Sequence, residues 1–217
     1  MRFKFFFKCC FQVFFKHVFL LLIKTFYSVE IKGRENIPSS GSVILAGNHI
    51  SYIDGFFIVS HVKRPVKFIV DWIYYKKPGF KQFFDMFEAI PIAPQKYDPK
   101  ILEQAYKNAV NKMNEGAVIC IFPEGYVSKD GDIGKFYKGI ERLLDRKWVP
   151  VVPFSISGLW GSIFSWKDGK IIFKIPRQVR RKVIIEFGRL LEDKPMTVDV
   201  IKEEVCLLKN KNDLRLQ

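Results

Sequence analysis

The chain is poor in the residues and motifs on which several common chemistries depend. It has three histidines and four cysteines among 217 residues. Cys9, Cys10, Cys120 and Cys206 form neither a Cys-x-x-Cys pair nor an evenly spaced framework, which removes the usual support for a zinc site or a disulfide scaffold and points to a reducing compartment. Gly-x-Ser-x-Gly, Gly-x-x-x-x-Gly-Lys-Ser/Thr and Gly-x-Gly-x-x-Gly are all missing. A serine-hydrolase elbow, a P-loop and a dinucleotide fold therefore drop out as first readings. There is no internal repeat or low-complexity linker, and no acidic residue precedes Glu30.

Positive charge and phenylalanine are abundant instead. Lys and Arg number 36 against 22 Asp and Glu, a formal net charge of +14, and there are 22 Phe. This balance favours anionic partners: nucleic acid, an acidic membrane surface or a phosphorylated substrate. No nucleic-acid reader motif is present and the aromatics lie in apolar runs rather than interleaved with arginine, so nucleic acid is not expected as a partner.

The chain opens MRFKFFFKCCFQVFFKHVFLLLIKTFYSVE. No small-residue cleavage site follows the apolar part, so the segment is expected to be retained. From Phe5 to Ile23 there are 13 Phe, Leu, Ile and Val. Each contributes roughly −0.3 to −0.6 kcal/mol to insertion, against about +2.5 to +3.5 kcal/mol for a lysine near the middle such as Lys16. On a helix Lys4, Lys8, Gln12 and Lys16 share one stripe, which leaves a broad Phe-rich face opposite. An anchor over residues 1–28 that lies in a lipid membrane surface, rather than crossing it, fits that pattern. The expected location is the cytoplasmic membrane, peripheral or monotopic, with the active site near its cytosolic face.

One domain is expected over residues 29–217. Apolar runs at 42–48, 67–72, 88–93, 117–122, 151–157, 170–175 and 182–187 have the length and β-branched content of strands. Between the third and fourth, Asp98 caps a helix with Pro99 at its first position and Gly116 as its stop. Two further helices are expected in YKGIERLLDRK and from Thr197 to Lys209. Alternation of this kind implies an α/β fold: a mixed, mostly parallel sheet of about seven strands flanked by helices.

The most informative stretch is GNHISYID, residues 47–54. Residues five apart on a continuous helix point about 140° away from each other, so His49 and Asp54 can share a site only if the chain bends between them. Ser51 and Asp54 form a Ser-x-x-acid capping box, which places a helix start at Ser51 and His49 in the loop before it. Asp54 could then reach back to one ring nitrogen of His49 and make the other a general base. The plainer alternative is a capped helix beside a polar loop histidine. With no nucleophile motif in the chain, the attacking hydroxyl is expected on the substrate. A second signal is IFPEGYVSKDGDIGKFYKG, residues 121–139: a strand, then a turn with Glu124 and Gly125, then Lys129, Lys135 and Lys138 as cations for a phosphate. Solvated lysines on a loop are the plainer alternative here.

Taken in order, GNHISYID, FPEG, KFYKG and VVPFSISG resemble the motif blocks of the glycerophospholipid acyltransferase family, a PlsC-like lysophospholipid acyltransferase domain, over roughly residues 30–190. GNHISYIDG, AIPIAP and GLWGSIFS are most similar to the branch that some relatives fuse to lysophospholipid transporters. The resemblance implies transfer of a fatty acyl group from a thioester, acyl-carrier protein or acyl-CoA, to the free hydroxyl of a lysophospholipid. On the matching motif positions it implies His49 as the base, Asp54 as its orienting partner, and Asn48, Ser51, Glu124 and Gly125 at the substrate. Lys129, Lys135 and Lys138 are the remaining candidates for the phosphate. No metal or bound cofactor is implied, because the thioester carries the activation. Oxyanion donors are expected among backbone N–H groups near Ser51 or in the Phe-Pro-Glu-Gly turn.

Two departures bear on the headgroup. Many members carry an arginine just after Phe-Pro-Glu-Gly, where this chain has Tyr126 and Val127, and another after the strand that here ends in Ala93, Pro94 and Gln95 before Lys96. Arginine grips phosphate with two parallel bonds and lysine as a point charge, so lysophosphatidylethanolamine competes with lysophosphatidate (1-acylglycerol-3-phosphate) as acceptor. The alternative class is a catalytically silent lipid-binding or membrane-tethering protein with the same fold.

Overall fold

In the computed structural model, which describes residues 2–167, 169 and 180–217, the first element is a long helix, α1 (Arg2–Phe26). Gln12 and Lys16 of its polar stripe turn toward the domain. Gln12 Nε2 donates to the Met86 carbonyl at 2.6 Å and Lys16 Nζ to the Val62 carbonyl at 2.5 Å. Both carbonyls close helices, where unpaired acceptors and the negative dipole end attract donors. Phe11, Phe15 and Phe19 pack on Phe87, Phe83 and Phe56, and Ile23 is buried. The face left outside carries Val13, Phe14, Leu21 and Leu22. Among the described residues no helix is long and apolar enough to cross a membrane.

The rest is an α/β layer structure. The strands are β1 (Tyr27–Lys32), β2 (Val43–Gly47), β3 (Val66–Asp71), β4 (Ile90–Ile92), β5 (Val118–Ile121), β6 (Val151–Ser157) and β7 (Arg181–Phe187), in one sheet ordered β1-β7-β6-β2-β5-β3-β4. β6 and β7 pair antiparallel and the other neighbours pair parallel. The sheet is thus mixed and mostly parallel. β1 was not anticipated, and the expected strand at 170–175 lies outside the described residues.

Alternating side chains feed two cores. Ile44 and Ala46 of β2 and Ile119 and Ile121 of β5 face α5 (Pro99–Asn114), α6 (Gly139–Arg146) and α7 (Val198–Leu214). Val43, Leu45, Val118 and Cys120 face α1 and α2 (Asp54–His61). A short aromatic hairpin, α3 (Trp72–Tyr75) and α4 (Phe80–Met86), joins β3 to β4. Helix α5 begins as expected, with Asp98 accepting from the N–H groups of Lys100 and Ile101. Thr197 likewise caps α7. At the end of β2 a Cβ on Gly47 would lie 2.4 Å from the Phe154 ring, so only glycine lets the chain leave the sheet there.

Candidate active site

Asn48 sets the direction in which the chain leaves β2. It is fully buried, its Nδ2 donates to the Ile156 carbonyl at 3.0 Å, and its Oδ1 accepts from the Ile156 N–H at 2.8 Å. The side chain extends the pairing of β2 with β6 by one step past the strand end. Both polar atoms of the Asn48 side chain are thus engaged in the frame.

The next residue, His49, stacks on Phe122 at 4.2 Å and keeps a fifth of its side chain exposed. Its Nδ1 lies 2.8 Å from Asp54 Oδ2, and the same oxygen accepts from the N–H groups of Ile50 and Ser51 at 2.8 and 2.9 Å. Because Oδ2 can only accept, Nδ1 carries the proton and Nε2 is left as the basic nitrogen. A carboxylate with no exposed surface is costly unless donors surround it, and these donors fold the loop around Asp54. Oδ1 has no partner among the described residues. Cys120 lies beneath on β5, where burial, reinforced by the Asp54 charge, pushes its thiol well above the ordinary range.

The helix start differs from the capping-box expectation. Helix α2 begins at Asp54, three residues beyond Ser51. Asp54 reaches back to hold the preceding N–H groups, while Ser51 Oγ accepts from the Ile53 N–H and donates to the Phe164 carbonyl at 3.3 Å each. Ser51 is buried and ties the loop to the 158–166 segment. Its N–H is engaged by Asp54 and that of Gly125 by the Phe122 carbonyl, so these two are not free to receive an oxyanion.

Glu124 is also placed differently from the expected headgroup contact. It is fully buried at the end of β5, with Oε1 accepting from the His49 N–H and Oε2 from the Gly134 N–H, both at 2.8 Å. Burial pushes its carboxyl up, while the Gly134 and His49 N–H groups pull it back toward the charged form. A Cβ on Gly134 would meet the Tyr126 hydroxyl at 2.6 Å and Glu124 Oε2 at 3.2 Å. Glu124 is a clamp between the histidine loop and the lysine-bearing loop. A second tie is the Ser128 N–H, which donates to the His49 carbonyl at 2.7 Å.

Gly125, with φ of +71°, Lys129, Lys135 and Lys138 all lie exposed on that second loop. Lys129 follows Ser128 and Lys135 follows Gly134, so both flank the points tied to His49 and Glu124. Lys138 follows Tyr137, whose N–H donates to the Pro123 carbonyl at 2.8 Å, and its ammonium group lies 4.0 Å from Glu141. Of the positions where arginine was expected by resemblance, Val127 and Ala93 are buried and Tyr126 is exposed. Three aromatics not singled out from the sequence edge the site: Tyr52, three residues past His49, has its ring 6.2 Å from Trp166 and its hydroxyl against that of Tyr74. Among the described residues no group of three or more His, Cys, Asp or Glu is placed to hold a metal ion.

The site thus gathers Asn48, His49, Ser51, Asp54 and Glu124 at the C-terminal edge of the central strands, where α/β sheets present ligands. Residues 28–157, which enclose all of them, match the family described as Acyltransferase. The chain belongs to that family. Among curated members, a chloroplastic 1-acyl-sn-glycerol-3-phosphate acyltransferase of Brassica napus is 32% identical over 137 residues, 63% of this chain and 39% of the relative. The 1-acyl-sn-glycerol-3-phosphate acyltransferase of Pseudomonas aeruginosa is 33% identical over 129 residues, 58% of this chain and 48% of the relative. Among solved structures, the 1-acyl-sn-glycerophosphate (LPA) acyltransferase PlsC of Thermotoga maritima matches with a TM-score of 0.67 and 23% identity, over 95% of this chain and 78% of that one. That likeness is one of fold. The chain spans less than half the length of the two curated relatives.

Proposed function

We propose that this acyltransferase-family chain transfers a fatty acyl group from acyl-carrier protein or acyl-CoA to the free hydroxyl of a lysophospholipid, at a membrane surface. The observation that carries the reading is His49: one nitrogen held by a buried carboxylate at 2.8 Å, the ring packed on Phe122, and an exposed edge. An imidazole fixed in this way is built to take a proton from an incoming hydroxyl.

In the proposed reaction Nε2 accepts the hydroxyl proton as the oxygen attacks the thioester carbonyl carbon. Asp54 stabilises the imidazolium through Nδ1. The tetrahedral species collapses as the carbon–sulfur bond breaks, and the leaving thiolate takes the proton back from Nε2. Ester forms, thiol leaves, and His49 is regenerated. Asn48, Ser51 and Glu124 act as positioning residues through the backbone, whereas Lys129 and Lys135 meet the phosphate of the acceptor. The names of the curated relatives support lysophosphatidate as that acceptor. The exposed Tyr126 at a position where an arginine was expected keeps lysophosphatidylethanolamine beside it.

The test is acyl transfer by the purified, liposome-supported protein, using labelled acyl-carrier protein and acyl-CoA against lysophosphatidate, lysophosphatidylethanolamine and lysophosphatidylglycerol. Product that disappears in His49→Ala, a loss of about 10²- to 10⁴-fold, supports the assignment and identifies both substrates. Transfer to no acceptor, from protein shown to be folded, would move the chain to the silent lipid-binding class.

A further inference from the structure

We propose that the α3–α4 hairpin, residues 72–86, is a second membrane-contact element that holds the mouth of the His49 site against an anionic lipid surface. The proposal rests on the reading of the substrate as a lipid, and its test does not depend on turnover.

The hairpin has an inner and an outer side. Inside, Tyr75 stacks on Phe84 at 6.0 Å and its hydroxyl meets the Asp85 carboxylate. Phe83 packs on Phe15 and Phe19 of α1 and on Phe56 of α2, all with ring centroids 6.0–6.2 Å apart. These contacts fix the hairpin to the body. Yet Ile73, Tyr74 and Phe80 are 56%, 42% and 53% exposed, although the neighbouring Tyr75 is buried and Phe83 and Phe84 are half-buried. Large apolar side chains clustered at an exposed turn mark a contact surface.

The chemistry of the rim selects the partner. Lys76, Lys77 and Lys81 surround the turn, with their ammonium groups 6.0, 4.7 and 5.6 Å from the rings of Trp72, Tyr74 and Tyr75. Lys81 is paired with Asp85 at 2.6 Å, whereas Lys76 and Lys77 are exposed beside their rings. Long lysine side chains at such a rim are suited to snorkel from an apolar layer into lipid phosphates. Trp and Tyr beside protruding apolar side chains match the composition of a membrane–water boundary. A net charge of +14 adds attraction to an anionic surface.

Position supplies the link to function. Through Phe83 the hairpin is continuous with α1, whose outer face carries Val13, Phe14, Leu21 and Leu22. Through Tyr74 it touches Tyr52, three residues from His49. A lipid surface in contact with both elements lies beside the opening through which a lysolipid would reach Nε2.

The experiment is co-sedimentation of the full chain with phosphatidylglycerol-containing vesicles and with phosphatidylcholine vesicles, for wild type and for the double variant Ile73→Glu, Phe80→Glu. The expected result is a fall of about tenfold or more in partition onto the anionic vesicles, with the melting temperature retained. As a measurement independent of the folding of that variant, brominated lipid should quench wild-type tryptophan emission, and Trp72→Phe should lower that quenching, with Trp148, Trp160 and Trp166 as the remaining tryptophans. Unchanged partition, or quenching that Trp72→Phe leaves unaltered, overturns the proposal. So does a variant that keeps its vesicle affinity and loses affinity for acyl-carrier protein, which would assign the hairpin to an acidic protein. Vesicle binding through the hairpin without acyl transfer to any acceptor would refute the enzymatic reading and leave this one standing.

Discussion

Two loops meet at the same edge of the sheet and are held in opposite ways. In residues 47–54, Asn48, Ser51 and Asp54 are buried and bonded to backbone groups. In residues 125–138, Gly125, Lys129, Lys135 and Lys138 stand in solvent. The buried carboxylate of Glu124 joins the two. Under the proposed function the contrast separates two tasks. Proton transfer tolerates little misplacement, so its geometry is fixed by donors and acceptors that water cannot reach. Binding a charged headgroup needs cations that can follow it, and on that proposal the exposed lysines of the tied loop would provide them.

If that division holds, substitutions in the first loop should lower kcat and those in the second should raise KM. After His49→Ala itself, the largest effect is expected at Asp54→Asn. The amide oxygen can still accept from the His49 ring and the Ile50 and Ser51 N–H groups. The amide carries no charge to stabilise the imidazolium, however, and its NH₂ takes the place of Oδ1, which has no partner among the described residues. Accordingly kcat should fall on the order of 10²- to 10³-fold. KM for the lysolipid should change little, as steady-state kinetics would show.

Glu124→Gln comes next. One end of the amide would turn an N–H toward the N–H of His49 or Gly134, leaving a buried donor unpaired at about 1–3 kcal/mol. A lower melting temperature should accompany a kcat loss of about 100-fold, through displacement of His49. An unaltered kcat would show that the clamp does not position the histidine.

Lys129→Ala and Lys135→Ala should each raise KM by roughly tenfold or less, about 1.4 kcal/mol at most. The effect should shrink as salt is added, because both groups are exposed. Lys138→Ala should do less, because Glu141 lies 4.0 Å from its ammonium group.

The smallest effect lies away from both loops, at Glu88. Burial would raise its carboxyl, but Lys67 at 2.7 Å and Lys112 at 3.3 Å hold it down to about 2 from an ordinary 4.5. A depressed carboxyl stabilises the fold above the ordinary value, and that contribution is lost as pH falls toward the folded one. The melting difference between wild type and Glu88→Gln should therefore be full near neutral pH and close between about 4.5 and 2. A difference that persists at the acid end would assign the effect to packing.

Much of this was legible in the sequence where local signals agree. Helix α5 has a cap, a proline at its first position and an apolar stripe, and its ends fall where those residues place them. The central strands are short β-branched runs and lie within a residue or two of the expected bounds. The bend between His49 and Asp54 followed from helix geometry. What stayed hidden depends on tertiary contact. β1 is six residues directly after a helix, and only the alternation of Tyr27, Val29 and Ile31 hints at it. The polar stripe of α1 reads as a headgroup-facing edge until the carbonyls of Val62 and Met86 are there to meet it. Glu124 reads as a ligand in a turn, because no local pattern reveals that both its oxygens will find backbone N–H groups seventy-five residues back and ten ahead.

The most direct test of the division is kcat and KM for Asp54→Asn beside Lys135→Ala, measured with one lysolipid acceptor and one acyl thioester. A fall in kcat alone for the first and a rise in KM alone for the second would support a frozen proton-transfer loop beside an adaptable binding loop. Loss of kcat in both, or a rise in KM from Asp54→Asn with kcat intact, would contradict it.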